Sequence, residues 1–181
     1  YLNGSFVGDQ AAYDETVWVQ DHDGRYNPNG HWYFNGSLVD EGGYNTAVAS
    51  AGDTWGADND GEYITPKGSN SGRWYLNGSF VGDQAAYDAN VWGQDNDGQY
   101  ESSGRWYFNG SYVGVYGQAE FNGRVASAGD AWGLTHDGEY LTPKSSLNSG
   151  RWYYGGSHVS QSDYDANVWG QDNDGQYESS G

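Results

Sequence analysis

The sequence predicts a mostly β fold, a tandem array of small hairpin-based units packed on aromatic residues. Three observations lead there. The 181 residues hold 9 Trp, 17 Tyr and 5 Phe against only 19 Val, Leu and Ile, which inverts the aliphatic balance of ordinary soluble domains. Long segments recur without change: Tyr1–Asp14 reappears as Tyr75–Asp88, and Tyr87–Gly104 as Tyr164–Gly181. Asn-Gly pairs sit between apolar pairs, the strongest short signal for a β-hairpin, because both turn positions need φ > 0.

Two unit types alternate. Short units cover 1–30, 73–104 and 151–181, and long units cover 31–72 and 105–150. Each opens with an aromatic pair and NGS (Gly155-Gly156-Ser157 in the last unit), passes through a variable middle to a Trp and an acidic Asp-Gly turn, and closes on a Tyr. The first half predicts a hairpin. Cross-strand pairing in Arg73–Val81 puts Trp74, Leu76 and Val81 on one face and Tyr75 and Phe80 on the other. With both faces apolar, one should cover the unit's own core and the other a neighbour. The second half, Val91–Tyr100, reads as another hairpin whose Gly98 takes the left-handed turn position. The long units insert Ala47–Asp53 and Val125–Asp130, where one or two helical turns are expected, ended by Gly52. A Thr-Pro pair follows their last strand, at Thr65-Pro66 and Thr142-Pro143. Units of roughly 30 residues bury too little to fold alone, so neighbours must complete each core. Starting two residues into a short unit and ending on a unit's last Gly is the register expected of a slice from a longer array.

The long units carry a resemblance. Trp32, Asn35-Gly36-Ser37, Tyr44, Gly52-Asp53-Thr54-Trp55-Gly56-Ala57-Asp58 and Tyr63-Ile64-Thr65-Pro66 resemble the phage tail collar domain shared with microcystin-dependent proteins. The second copy keeps Trp106, Asn109-Gly110-Ser111, Gly129, Trp132-Gly133, Tyr140 and Pro143, with Ala131 and Thr135 where Thr54 and Asp58 stand. The match covers 31–66 and 105–143, and the short units keep only its two ends. It implies an extracellular fibre or adhesive module, often oligomeric and without catalysis.

Composition excludes several classes. A net charge of −18 with seven basic residues repels phosphate backbones, so nucleic acid is not an expected partner. No apolar run reaches the length of a membrane span, and with no Cys there is neither a disulfide framework nor a thiolate metal site. Abundant aromatics argue against disorder.

Candidate sites have two readings each. Asp21 and Asp23, Asp58 and Asp60, Asp95 and Asp97, and Asp172 and Asp174 place paired carboxylates before a glycine. Such oxygen-rich turns suit calcium, although the third ligand and bidentate Glu of an EF-hand are missing; the other reading is a plain polar turn. Asn3, Asn35, Asn77 and Asn109 each head an N-glycosylation sequon, or serve only the Asn-Gly turn. Trp18, Trp92, Trp169, Tyr75 and Phe80 are aromatics for carbohydrate or interface contact, or else for core and inter-unit packing. Arg73, Arg105 and Arg151 precede the aromatic pairs, where they pair with carboxylates, stack on rings, or stand solvated. His22 and His136 replace an Asn of other copies, and no set of histidines converges on a metal or a catalytic base. No catalytic constellation is expected. The expectation is a secreted or cell-surface structural or adhesive protein, self-associating with identical chains or neighbouring repeats into a fibre. A multivalent lectin for surface glycans is the alternative; calcium is optional and no cofactor is required.

Overall fold

The computed structural model describes residues 1–114, 117–144 and 146–172, with Asp172 described by its backbone alone. The described residues are 40% helix and 31% strand, so the fold is mixed rather than mostly β. In order they form α1 (Gln10–Asp21), β1 (Gly24–Tyr26), β2 (His31–Phe34), β3 (Ser37–Val39), α2 (Glu41–Gly56), β4 (Gly61–Ile64), β5 (Asn70–Leu76), β6 (Ser79–Gly82) and α3 (Gln84–Asp95). The second half repeats the pattern with β7 (Gly98–Tyr100), β8 (Arg105–Phe108), β9 (Ser111–Gly114), α4 (Gln118–Gly133), β10 (Gly138–Leu141), β11 (Asn148–Tyr154), β12 (Ser157–Val159) and α5 (Gln161–Asp172). Each three-stranded sheet is an antiparallel meander in chain order, and each is followed by a helix. The chain divides into two units, Tyr1–Asp88 and Ala89–Gly181, with the division inside α3.

The hairpins form where the Asn-Gly pairs place them. Asn35, Asn77 and Asn109 have φ of 49°, 51° and 49°, followed by glycines near +80°, and Gly155-Gly156 makes the fourth turn. The second predicted hairpin is a helix instead. Val91–Asp95 lie in α3, and only Gly98, the first residue of β7, keeps the positive φ expected of it, at +113°. The Ala-rich insert is likewise the middle of a longer helix, since α2 and α4 run through Gly52 and Gly129 to Gly56 and Gly133. Sheets also straddle the sequence repeats: β1 of the first short unit pairs with β2 of the next, and the boundary at 72/73 falls within β5.

Caps explain why these weak helix formers are helical. Asp9, Asp40 and Asp83 accept hydrogen bonds from the backbone N–H groups of Ala12, Gly43 and Ala86, and Ser160 accepts one from Asp163. At the other end Asn59 and Asn96 donate to the Trp55 and Trp92 carbonyls, four residues back. Packing supplies the rest. The buried stripe of α2 is Val48, Gly52 and Gly56, and that of α4 is Phe121, Val125, Gly129 and Gly133, spaced by four.

Those glycines are seats for tyrosine rings. A Cβ on Gly56 would lie 2.1 Å from Tyr75 Cδ1, one on Gly93 2.1 Å from Tyr107, and one on Gly133 2.1 Å from Tyr153. The three tyrosines are the largest fully buried side chains, each 1% exposed. On the opposite sheet face the preceding Trp packs on the next helix. Ring centroids of Trp32–Tyr44, Trp74–Tyr87, Trp106–Phe121 and Trp152–Tyr164 lie 5.0–5.1 Å apart. Each sheet thus turns a tyrosine to the helix before it and a tryptophan to the helix after it. In α1 Val19 stands at the glycine position, and there the equivalent Tyr33 is only half-buried, held by Trp18 at 6.2 Å.

Gly56→Ala, Gly93→Ala and Gly133→Ala should each destabilise the protein by about 1–3 kcal/mol or more, because a rigid ring must leave its seat. Gly123→Ala, at an exposed helical site with nothing within 4 Å, should stabilise by up to about 1 kcal/mol. Urea melts compare them, and equal losses at all four positions would refute the seat.

Candidate functional site

Two motifs recur at fixed stations. The first is the acidic turn between each helix and its following strand. Its second aspartate reaches across the sheet to the hairpin: the Oδ1 atoms of Asp23, Asp60, Asp97 and Asp137 accept the backbone N–H of Asn35, Asn77, Asn109 and Gly155 at 2.5–2.7 Å. After the short helices the second carboxylate oxygen is used as well. Asp23 Oδ2 accepts from Lys67 N at 2.9 Å, and Asp97 Oδ2 from Lys144 N at 2.7 Å. The Thr-Pro-Lys loop of the following sheet thereby closes over the turn, leaving Asp23 5% and Asp97 2% exposed. Ser69 Oγ adds a bond to the Asp23 carbonyl, and Lys67 Nζ donates to the Gln20 carbonyl. Asp60 and Asp137 keep only the hairpin bond and remain exposed.

The second aspartate of these turns bonds a hairpin amide, buried at Asp23 and Asp97 and exposed at Asp60 and Asp137, while Asp21, Asp58 and Asp95 are exposed. Among the described residues no three His, Asp or Glu side chains gather as a metal would need. The Asp172 side chain and Asp174 lie outside the described residues. In the acidic turns, His22 and His136 do the work of Asn59 and Asn96. Each places Nδ1 2.9–3.0 Å from the Trp carbonyl four residues back and stacks on that indole at an interplanar angle of 9°. The four sequon asparagines, Asn3, Asn35, Asn77 and Asn109, are all exposed at turn tips.

The second motif is a platform over each buried tyrosine. Arg73 donates from Nε to Tyr75 Oη at 3.0 Å and from Nη2 to Asp53 Oδ1 at 3.1 Å, while Tyr75 Oη donates to the same Oδ1 at 2.8 Å. The guanidinium carbon lies 4.0 Å from the Phe80 ring centroid, and Phe80 is 48% exposed. Arg151, Tyr153 and Asp130 repeat the bonds at 2.9, 2.8 and 2.7 Å, with His158 at the Phe80 station. Arg105 lies over Tyr112 at 5.4 Å, and Tyr107 donates to Asn90 at 3.4 Å. At the first sheet the set becomes His31, Glu15 and Tyr33, with Leu38 outermost. Arg73 and Arg151 both pair with a carboxylate and lie near a ring, and Arg105 lies over a ring, which are two of the three readings the sequence left open. The acids Asp53 and Asp130 stand at the ends of the inserts where helical turns were expected and were not singled out as partners.

Of the five aromatics singled out, Tyr75 is core and only Phe80 is well exposed. Trp18 and Trp92 are partly buried against Tyr26 and Tyr33, and Tyr100 and Tyr107. Trp169 is partly buried on α5 and also partnered. Among the described residues no helix is long and apolar enough to cross a membrane. The chain matches no family model, and no curated protein or solved structure is detectably similar to it.

Charge states follow from the platforms. The Tyr75 hydroxyl and then Arg73 hold the Asp53 carboxyl below its ordinary range, as Tyr153 and Arg151 do for Asp130 and Tyr33 does for Glu15. Burial, followed by Glu15, pushes Tyr33 up to about 12. Burial likewise raises Tyr75, Tyr107 and Tyr153. A lowered carboxyl contributes stability present above its unfolded value and lost as pH falls through its folded one. A raised phenol contributes stability present below about pH 10 and lost as pH rises. Melting temperature should therefore be flat between about pH 5 and 10 and fall on both sides, and ring-resolved NMR should show the buried Tyr75, Tyr107 and Tyr153 phenols ionising only as the alkaline limb unfolds. Ionisation of these three rings without unfolding would contradict this.

Asp23→Ala and Asp97→Ala each strand two backbone donors and should cost about 1–3 kcal/mol. Asp60→Ala frees a donor that water can reach and should cost under about 1 kcal/mol. Denaturant melts would show the order, and an equal or larger loss for Asp60→Ala would overturn the clasp.

Proposed function

We propose that this protein is an extracellular structural or adhesive repeat protein that belongs to a fibre. The observation that carries the reading is the alternation of sheet and helix through one repeated joint, tyrosine face before and tryptophan face after. A module of that kind is completed only by its neighbours, and such modules extend by addition rather than by growth of a central core. The recurrence of exposed apolar side chains supports an adhesive surface. Leu38, Phe80 and Tyr112 share one hairpin station at 60, 48 and 42% exposed, and Val17, Val91 and Val168 share one helix station at 38–39%. The long units' resemblance to tail collar repeats points the same way, as does a charge that keeps a surface of this kind soluble.

A second reading, a multivalent lectin, draws on the platforms. An exposed ring beside guanidinium donors and a carboxylate acceptor offers what a sugar presents, an apolar face edged with hydroxyls, and repetition would supply avidity. The exposed Asp21, Asp58 and Asp95 keep calcium open as a ligand, and a melting temperature unmoved by EDTA would dismiss it.

Electron microscopy of native material tests the first reading: fibres or extended arrays are expected, and compact monomers alone would sink it. A glycan array with Phe80→Ala and Tyr112→Ala tests the second. Sugar binding lost in both variants supports it, whereas absent or unchanged binding removes it.

A further inference from the structure

The hairpins β2–β3, β5–β6 and β8–β9 turn on one triplet, Asn35-Gly36-Ser37, Asn77-Gly78-Ser79 and Asn109-Gly110-Ser111. All three asparagines are exposed, at φ of 49–51°. An asparagine followed by glycine carries both halves of a reaction. The glycine nitrogen attacks the asparagine Cγ, the side-chain nitrogen leaves as ammonia, and a succinimide ring closes. Water then opens the ring at either carbonyl, to aspartate or to isoaspartate. One water enters, one ammonia leaves, and nothing is oxidised or reduced. Glycine favours the attack because no side chain shields its nitrogen.

With one triplet at all three sites, any difference in rate must come from the fold. Ring closure rotates the asparagine Cα–C bond out of the turn conformation, so the tip has to open first. Opening releases the asparagine N–H from its aspartate, and the aspartates differ. Asp23 and Asp97, which hold Asn35 and Asn109, are 5% and 2% exposed and also bind the N–H of Lys67 and Lys144. Asp60, which holds Asn77 at 2.7 Å, is exposed and makes the hairpin bond alone, so water can take its place.

Two other Asn-Gly pairs are constrained in different ways. The Gly30 N–H donates to the Tyr26 carbonyl at 2.8 Å while Asn29 Oδ1 accepts from His31, and Asn122-Gly123 lies inside α4. The other hairpin held by an exposed aspartate, that of Asp137, turns on Gly155-Gly156 and has no amide to lose.

We propose that Asn77 is a site of spontaneous deamidation, converted through its bond to Gly78 ahead of Asn35 and Asn109. The aspartate product puts a second carboxylate beside Asp60, and the isoaspartate product adds a backbone carbon to a two-residue turn. That turn sets Tyr75 opposite Phe80 and so brings Phe80 under the Arg73 guanidinium. Conversion therefore falls on the Tyr75 platform first and adds a negative charge to a chain already at −18. It is independent of both the fibre and the lectin readings.

Peptide mapping by mass spectrometry, on the whole chain held at mildly alkaline pH, gives the rate at each asparagine. Asn77 is expected to convert about tenfold faster than Asn35 or Asn109. In urea the three rates should converge. Asp23→Ala should speed Asn35 in the native chain and leave Asn109 as it was, and Asp97→Ala should do the reverse. Asn77→Gly, which copies the Gly155-Gly156 turn, should keep the melting temperature and remove the early acidic species. Equal native rates at the three triplets, or a ranking that persists in urea, would overturn the proposal.

Discussion

A tyrosine ring lying on a helical glycine is the constraint from which the rest of this structure follows. A helix that must accept a ring where Cβ would stand needs glycine at a fixed place, which lowers its intrinsic helicity and makes it depend on caps and on both flanking sheets. A ring that deep needs a partner for its hydroxyl, and the helix supplies one three residues before the glycine: Asp53, Asn90 or Asp130. An acid at that point draws in a cation, which is why Arg73 and Arg151 stand where they do. Val19 shows the constraint by exception. With a side chain in the seat, Tyr33 rides higher and reaches Glu15, four residues before Val19.

The acidity of the chain acquires a structural use. In each of the four described turns the second aspartate is tied to a hairpin amide, so the carboxylates fasten a strand to the loop of the same sheet. Short sheets of three- to seven-residue strands have few ladder bonds to hold their register. A charged acceptor on a backbone N–H is worth more than a neutral one, and it fixes the turn at the point where register is decided.

Legibility in the sequence followed the range of the interaction. The Asn-Gly hairpins were readable because their cause is local, two residues needing φ > 0. Gly98 was readable as a left-handed position for the same reason. The aromatic core was readable from composition and repetition. The short helices were missed, and the long ones read only as a turn or two, because residues such as Tyr87, Val91, Trp92 and Gly93 have strand or breaker propensities. What makes them helical lies elsewhere in the chain, in Tyr107 and the sheet around it. The legible trace was the spacing by four of Val48, Gly52 and Gly56, matched by Val125, Gly129 and Gly133, below an Asp N-cap in the first case. Gly52 reads as a stop only when its neighbours four away are ignored. Asp53 and its counterpart Asp130 were not read as platform acids because the helical stretch was expected to end at Gly52, beside Asp53.

Among the described residues the Thr-Pro-Lys loop closes over Asp23 and Asp97, and no such loop closes over Asp60 or Asp137. Successive sheets of one unit are therefore fastened in pairs, β1–β3 to β4–β6 and β7–β9 to β10–β12. Were force applied along the chain, the sheets of one pair could not separate until the clasp between them let go, so two backbone hydrogen bonds to one buried carboxylate would set the resistance of each pair.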